Sequence, residues 1–354
     1  MKIMLAEHFG MCFGVRDAIA QAEQLAHEGP LTILGELVHN PIVRERLRAQ
    51  GVAEGYLDQS ESIRLRQATA RQASQRVMIT AHGASDVKRA SWRANGFDLV
   101  DGTCPLVRHA HEQLKRLVAA GYFPVVIGKP GHVEVRGLTE DFAETVIVDR
   151  SSDIPKLPER GRYGVISQTT QPIEHVHSLV AEIQRMHPQS EVRFVDTVCK
   201  PTKDRQSALR KLIDVADAIV VVGGRESNNT RQLVSTCRAA GRRAFHIERA
   251  DELQPEWFDN VDIVGLTAGT STMRETVEAV LKRLEEIARN QCSLIPGAQV
   301  SEALTLPSPT LSRRERRTRS ASEGQRRGLG RGGLRKLSEP VREKSSTRTL
   351  PDQE

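Results

Sequence analysis

Short apolar runs alternate with amphipathic stretches along most of this chain, and the alternation comes round three times. Lys2–Ala6 is a short apolar run that predicts a strand. Val15, Ala18, Ile19, Ala22, Leu25 and Ala26 then recur at the i, i+3, i+4, i+7 spacing of a helix that buries one face. Leu31–Leu34 and Val77–Thr80 predict two further strands. The order returns with Leu99-Val100, a helix carrying Val107, Ala110, Leu114, Leu117 and Val118, and strands at Pro124–Ile127 and Gly164–Ile166. It returns again with Val192–Val195, a helix carrying Ala208, Leu209, Leu212, Ile213 and Ala216, and strands at Ala218–Val222 and Ile263–Leu266. The strands are continuous apolar runs rather than alternating ones, and helices separate them. That pattern predicts parallel sheets covered on both faces and joined by right-handed crossovers.

Each round sets a cysteine between its first strand and its helix: Cys12, Cys104 and Cys199, separated by 92 and 95 residues. A polar loop follows each cysteine by 27, 28 and 28 residues, at His39, His132 and Ser227. A second follows by 70, 65 and 72 residues, at His82, Thr169 and Ser271. The matched offsets predict an α/β protein of three pseudo-threefold units with parallel sheets. The expected units are 1–97 with Cys12, 98–190 with Cys104 and 191–295 with Cys199, followed by a basic tail, 296–354. Every one of these polar residues lies just past the C-terminal end of a strand, the edge at which open α/β sheets bind ligands. Three such edges facing one another would enclose one central site.

Charge narrows the choice of partner. The 354 residues carry a formal charge of +6. Residues 301–354 hold 13 basic and 7 acidic residues, which leaves 38 of each in the remainder. The folded part is therefore neutral, and no nucleic-acid partner is expected for it. The N-terminus lacks the apolar run of a signal peptide, and no segment reaches the ~18 apolar residues of a membrane span. A cytoplasmic protein is expected. Residues 296–354 lack aromatics and cluster Ser, Gly, Pro and Arg, a composition that predicts disorder. The Arg-rich segment 60–76 reads as a surface helix or loop.

The five cysteines include no C-x-x-C pair, so metal ligands or core residues are expected rather than disulfides. A structural zinc takes four ligands, usually two from close pairs. Three thiolates far apart in sequence better suit a [4Fe–4S] cubane that leaves one iron open as a Lewis acid. Cys237 and Cys292 fall outside the pattern and read as core residues. His39, His82, His132, Ser227, Asn229 and Ser271 are neutral donors suited to phosphate oxygens. Glu134, two residues beyond His132, has the chemistry of a general acid. Thr169 reads either as a group that orients a substrate hydroxyl or as a helix N-cap before Pro172.

The motifs that carry these residues resemble those of the 4-hydroxy-3-methylbut-2-enyl diphosphate reductase family. They are Gly10-Met11-Cys12-Phe13-Gly14-Val15, Leu37-Val38-His39-Asn40, Ala81-His82-Gly83, Asp101-Gly102-Thr103-Cys104-Pro105, Gly131-His132-Val133-Glu134, Gln168-Thr169-Thr170, Ser227-Asn228-Asn229-Thr230 and Thr267-Ala268-Gly269-Thr270-Ser271. The resemblance implies a trefoil of three α/β domains around one [4Fe–4S] cluster per subunit, ligated by Cys12, Cys104 and Cys199. It implies that His39, His82, His132, Ser227, Asn228, Asn229 and Ser271 hold an allylic diphosphate, that Thr169 positions its hydroxyl, and that Glu134 delivers protons. The implied reaction is reductive dehydroxylation to isopentenyl and dimethylallyl diphosphate, the last step of the methylerythritol phosphate pathway, with ferredoxin or flavodoxin as electron donor. Two alternatives remain open on sequence: an aconitase-like hydro-lyase, which needs no reductant, and a non-catalytic iron–sulfur sensor.

Overall fold

A computed structural model describes residues 1–55 and 76–293. The expected disordered tail at 296–354 lies outside the described residues, as does the Arg-rich segment apart from Arg76. The described residues form twelve strands in three four-stranded sheets, and every strand pairing is parallel.

The first sheet holds β2 (Thr32–Leu34), β3 (Ala53–Gly55), β4 (Arg76–Ile79) and β5 (Asp98–Asp101) in the order β3-β2-β4-β5. The second holds β6 (Phe123–Ile127), β7 (Val146–Val148), β8 (Arg162–Ser167) and β9 (Glu191–Phe194) in the order β7-β6-β8-β9. The third holds β10 (Ala218–Val222), β11 (Arg243–Ile247), β12 (Ile263–Ala268) and β1 (Lys2–Leu5) in the order β11-β10-β12-β1. The three orders are the same order. The strand that leads into each cysteine is an edge strand of the sheet preceding that cysteine around the ring. For Cys12 that sheet is the last one made, with Lys2 opposite Ile263 and Leu5 opposite Leu266.

The sheets are buried on both faces, as their apolar strands require. In the second sheet Val125, Ile127 and Val165 pack under α6 (Ile173–Met186) through Val176, Leu179 and Ile183. Val126 and Ile166 point to the other face. There they meet Ala110, Leu114 and Leu117 of α4 (Pro105–Ala119) and Val135 and Leu138 of α5 (Val133–Thr139). In the third sheet Val220, Val222, Val264 and Leu266 pack against Val277, Val280 and Leu284 of α9 (Arg274–Ser293). Ile219 and Val221 pack against Leu209 of α7 (Lys200–Val215) and Leu233, Val234 and Cys237 of α8 (Asn228–Ala239). In the first sheet Ile33 and Met78 face α1 (Phe13–Glu28) and α2 (Pro41–Ala49), while Val77 and Ile79 face Trp92 of α3 (Asp86–Ala94).

Side-chain bonds tie one sheet's layer to the next. Asn40 caps α2 by accepting from Ile42 N–H at 2.9 Å and donates its amide to the Ser271 carbonyl at 2.6 Å. A Cβ at Gly224 would collide with the His39 carbonyl, standing 3.1 Å from its carbon, so only glycine allows the two loops to approach. The Asp141 carboxylate accepts from the amides of Asp86 and Val87 at the start of α3, and also pairs with His111 of α4 at 2.8 Å.

Candidate active site

The loops after the two inner strands of each sheet converge on one cavity, and the cysteines enter it from the edge strands. His39 follows β2 and His82 follows β4. His132 and Glu134 follow β6, and Thr169 follows β8. Ser227, Asn228 and Asn229 follow β10, and Ser271 follows β12. All of these residues line the cavity together with Cys12, Cys104 and Cys199. Its non-atom space is about 700 Å³, part of it open to solvent.

The three cysteines sit in equivalent positions. Each is the N-cap residue of a helix: α1, α4 and α7. Each donates its backbone N–H at 3.0 Å to a carbonyl just past the third strand of a sheet: Cys12 to Thr270, Cys104 to Ala81 and Cys199 to Thr169. None of the thiols caps its own helix, and none is in a disulfide. Cys199 Sγ lies 3.1 Å from the Thr202 hydroxyl. Burial raises the Cys104 thiol and pushes Cys199 up to about 11. Three soft donors that converge in this way suit a thiolate-bound metal centre. A Cβ on Gly14 would stand 3.2 Å from Cys104 Cβ and closer still to its Sγ, so the bare backbone of α1 is what admits the second thiol.

The histidines form a triangle with ring centroids 4.4, 5.5 and 5.6 Å apart. His39 is oriented by Glu36, whose carboxylate lies 2.9 Å from Nδ1. His132 Nδ1 accepts from the Glu134 amide at 3.2 Å, which places the proton of the neutral ring on Nε2. Burial holds His82 well below its ordinary value and brings His132 down to about 3, so both rings are neutral at pH 7. His82 Nδ1 and Asn229 Nδ2 are buried without a hydrogen-bond partner. Asn229 Oδ1 is occupied by the Thr270 amide at 3.0 Å. Buried polar atoms without a partner are costly, so in this cavity the Asn229 amide and, in the tautomer with its proton on Nδ1, the His82 ring are free to meet a ligand's acceptors.

Ser227 caps α8 by accepting from Thr230 N–H at 3.3 Å. Asn228 uses its amide on the Thr170 hydroxyl at 3.0 Å, linking the third sheet's loop to the second's. Glu134 is 2 % exposed and accepts from the Thr169 amide at 2.6 Å. Burial raises its pKa to about 7 against the pull of that bond, which leaves a carboxyl that gives up a proton near neutrality. The N-cap of α6 is Pro172, so Thr169 is not a helix cap. Sequence reasoning missed Thr202 and Arg205, which lie on α7 beside Cys199. The signal was available. The positions three and six residues after each cysteine are Val15 and Ala18, Val107 and Ala110, but Thr202 and Arg205 in the third round.

The family model described as LytB protein matches residues 3–285. The 4-hydroxy-3-methylbut-2-enyl diphosphate reductase of Aquifex aeolicus is 35 % identical over 297 residues, covering 82 % of this chain and 98 % of the relative. The enzyme of the same name from Citrifermentans bemidjiense is 36 % identical over 296 residues, covering 83 % and 100 %. A solved structure of (E)-4-hydroxy-3-methyl-but-2-enyl diphosphate reductase, described as the terminal enzyme of the non-mevalonate pathway, superposes with a TM-score of 0.57 at 34 % identity. It covers 80 % of this chain and 99 % of its own. The Plasmodium falciparum structure of E-1-hydroxy-2-methyl-but-2-enyl-4-diphosphate reductase has a TM-score of 0.71 at 23 % identity, covers 92 % and 99 %, and shares the fold. Matched over nearly the full length of these relatives, the chain belongs to the LytB protein family.

Proposed function

We propose that this protein is a cytoplasmic 4-hydroxy-3-methylbut-2-enyl diphosphate reductase that converts its substrate, two electrons and two protons into water and isopentenyl or dimethylallyl diphosphate. The observation that carries the reading is one cavity holding three disulfide-free thiols, a set of neutral phosphate-type donors and a buried carboxyl with a pKa of about 7. The residues fit a [4Fe–4S] cluster, one per subunit, held by Cys12, Cys104 and Cys199. The thiols are free of other covalent bonds, and Arg205, buried beside them, has an orphaned Nε. When bound, the cluster supplies electrons one at a time and one iron without a cysteine, a Lewis acid toward the substrate hydroxyl. Ferredoxin or flavodoxin is the expected electron source.

The protein's own residues bind and protonate. Asn229 offers its unpaired amide N–H to the diphosphate, and His82 its partnerless Nδ1 in the tautomer that carries the proton there, joined by His39, His132, Ser227 and Ser271. Asn228 steadies the same loop through Thr170. Neutral donors and backbone amides bind the anion without a Lys or Arg among the lining residues. Thr169 is fixed on both sides, its amide on Glu134 and its carbonyl on the Cys199 amide, so its hydroxyl is set to orient the substrate hydroxyl. Glu134 passes its proton to the departing oxygen, which leaves as water rather than hydroxide. The second proton goes to one end of the allylic system and decides between the two products. No helix among the described residues is long and apolar enough to cross a membrane.

Anaerobic purification with iron and sulfide determination, then assay with the hydroxylated diphosphate and a one-electron reductant, tests the reading. Turnover that requires the reductant supports it. Absence of turnover in a fully loaded protein overturns it, and reductant-independent release of water would favour the hydro-lyase instead.

A further inference from the structure

α7 carries a cation in a place where the other two cysteine-bearing helices carry methyl groups. Arg205 stands six residues after Cys199 and is 6 % exposed. The equivalent residues after Cys12 and Cys104 are Ala18 and Ala110, both buried. A buried guanidinium is ordinarily matched by a carboxylate, because an unpaired charge inside a protein is strongly unfavourable. Among the described residues, Arg205 makes no ion pair. Its nitrogens donate to two backbone carbonyls, Pro201 at 2.7 Å and Gly10, and its Nε has no partner. The neighbouring Asp204 is engaged by Lys200 at 2.9 Å. Burial pulls the guanidinium below its usual range, and the groups that draw it back are the Cys12 and Cys199 sulfurs first, in their thiolate form, and Asp204 last.

The two carbonyls matter as much as the charge. Gly10 precedes Cys12 by two residues and Pro201 follows Cys199 by two. The fork of Arg205 therefore spans the backbone around two of the three thiols and brings a full positive charge to their side of the cavity. With neutral thiols that charge has no counterpart. With thiolates around an anionic cluster, it has one.

We infer that Arg205 is the built-in counter-charge of the cysteine site and sets the potential at which a cluster held there accepts an electron. The inference rests on the reductase reading, in which that site holds a [4Fe–4S] cluster. Arg205 is a positioning residue that touches neither substrate nor reacting atoms. Reduction adds one electron, delivered by a one-electron reductant, and no proton to the cluster. The added negative charge is stabilised by a nearby cation in a medium of low polarity. Net charge and burial are among the levers that set cluster potentials. Removing the charge favours the oxidised form, by a factor of about ten in the reduction equilibrium, equivalent to about 59 mV for one electron.

The experiment uses the full chain, prepared without oxygen, as wild type, Arg205→Gln and Arg205→Lys, with iron and sulfide quantified in each. Redox titration followed by visible absorbance and electron paramagnetic resonance should place Arg205→Gln about 59 mV below wild type. Arg205→Lys, which keeps the charge but not the fork, should stay much closer to wild type. Thermal melting with and without cluster gives a second readout. Arg205→Gln should destabilise the loaded protein while leaving the cluster-free protein unchanged or more stable, since its unpaired charge is gone. That difference supports the inference even if the variant loads too poorly to titrate. A loaded Arg205→Gln at the wild-type potential overturns the inference alone. So does an equal loss of stability in both forms, or a cluster-free variant that fails to fold, since a backbone bracket would then explain the residue. A wild-type protein that takes up no cluster would instead sink the reductase reading itself.

Discussion

Replacing Glu134 by glutamine isolates the proton on which the proposed chemistry depends. The substitution keeps shape and one bond, because an amide oxygen can also accept from the Thr169 amide, now at 2.6 Å. It removes the exchangeable proton. In the wild type, burial lifts this carboxyl from its ordinary value of 4.5 to about 7. At 1.36 kcal/mol for each pH unit, that amounts to about 3 kcal/mol. Between those two values the native carboxyl keeps a proton that the unfolded chain has lost. The native state then binds more protons, and stability falls as pH rises. The contribution is fully present below 4.5 and gone once pH has risen through about 7. The side-chain amide in E134Q would not titrate, so this share of the slope vanishes. Denaturant unfolding of wild type and E134Q across this range should show their difference moving by about 3 kcal/mol in favour of the variant. In the loaded enzyme, turnover should fall about 10²–10⁴-fold with cluster content unchanged, and wild-type turnover should decline as pH rises past about 7. A stability difference that stays flat with pH would refute the burial argument. Wild-type turnover in E134Q would refute the role of proton donor.

The remaining expectations concern the cluster and the cavity wall. Cys104→Ser should lose iron and sulfide, while Cys237→Ser, deep in the third sheet's core, should keep both; equal loss would mean the ligands are misassigned. Gly14→Ala should change the stability of the cluster-free protein by no more than about 1 kcal/mol yet lower its cluster content, because the new methyl displaces Cys104 Sγ. Full loading at wild-type stability would show that α1 and Cys104 can move apart freely. Asn40→Ala should destabilise by about 1–2 kcal/mol through loss of the α2 cap and of its bond to Ser271. It should also raise KM, since that bond ties His39's loop to Ser271's; an unchanged KM would separate cap from site.

What the sequence disclosed follows from how each part announces itself. The inner strands β2, β4, β6, β8, β10 and β12 are buried on both faces, so they appear as unbroken apolar runs, and the loops after them carry the polar residues that line the cavity. The outer strands β3, β7 and β11 escaped notice. Ala53-Glu54-Gly55 and Val146–Val148 are too short to show a period, and Arg243–Ile247 mixes polar with apolar residues. Nothing in the cavity comes from them, which is why missing them left the site legible. The partner of β1 was not legible, because an apolar run says that a strand is buried but not against which neighbour. Arg205 was hidden for a different reason. A helix read for its apolar face begins at Ala208, and the polar turn before it passes for a solvated end.

The pairing of β1 with β12 sets an order of events in the cell. β1 leads into Cys12, but β12, the strand that holds this segment, is made about 260 residues later, with Lys2 opposite Ile263. At about 5–20 residues per second, that is a wait on the order of tens of seconds. Of the three thiols the earliest in the chain is therefore the last to be placed, and the three-cysteine arrangement is not complete on the nascent chain until β12 emerges. Under the proposed function, a cluster held by all three thiols would be completed only after that moment. A circular permutant that begins near residue 30 and carries β1 behind α9 would abolish the wait, and it would reveal whether that delay shapes cluster loading.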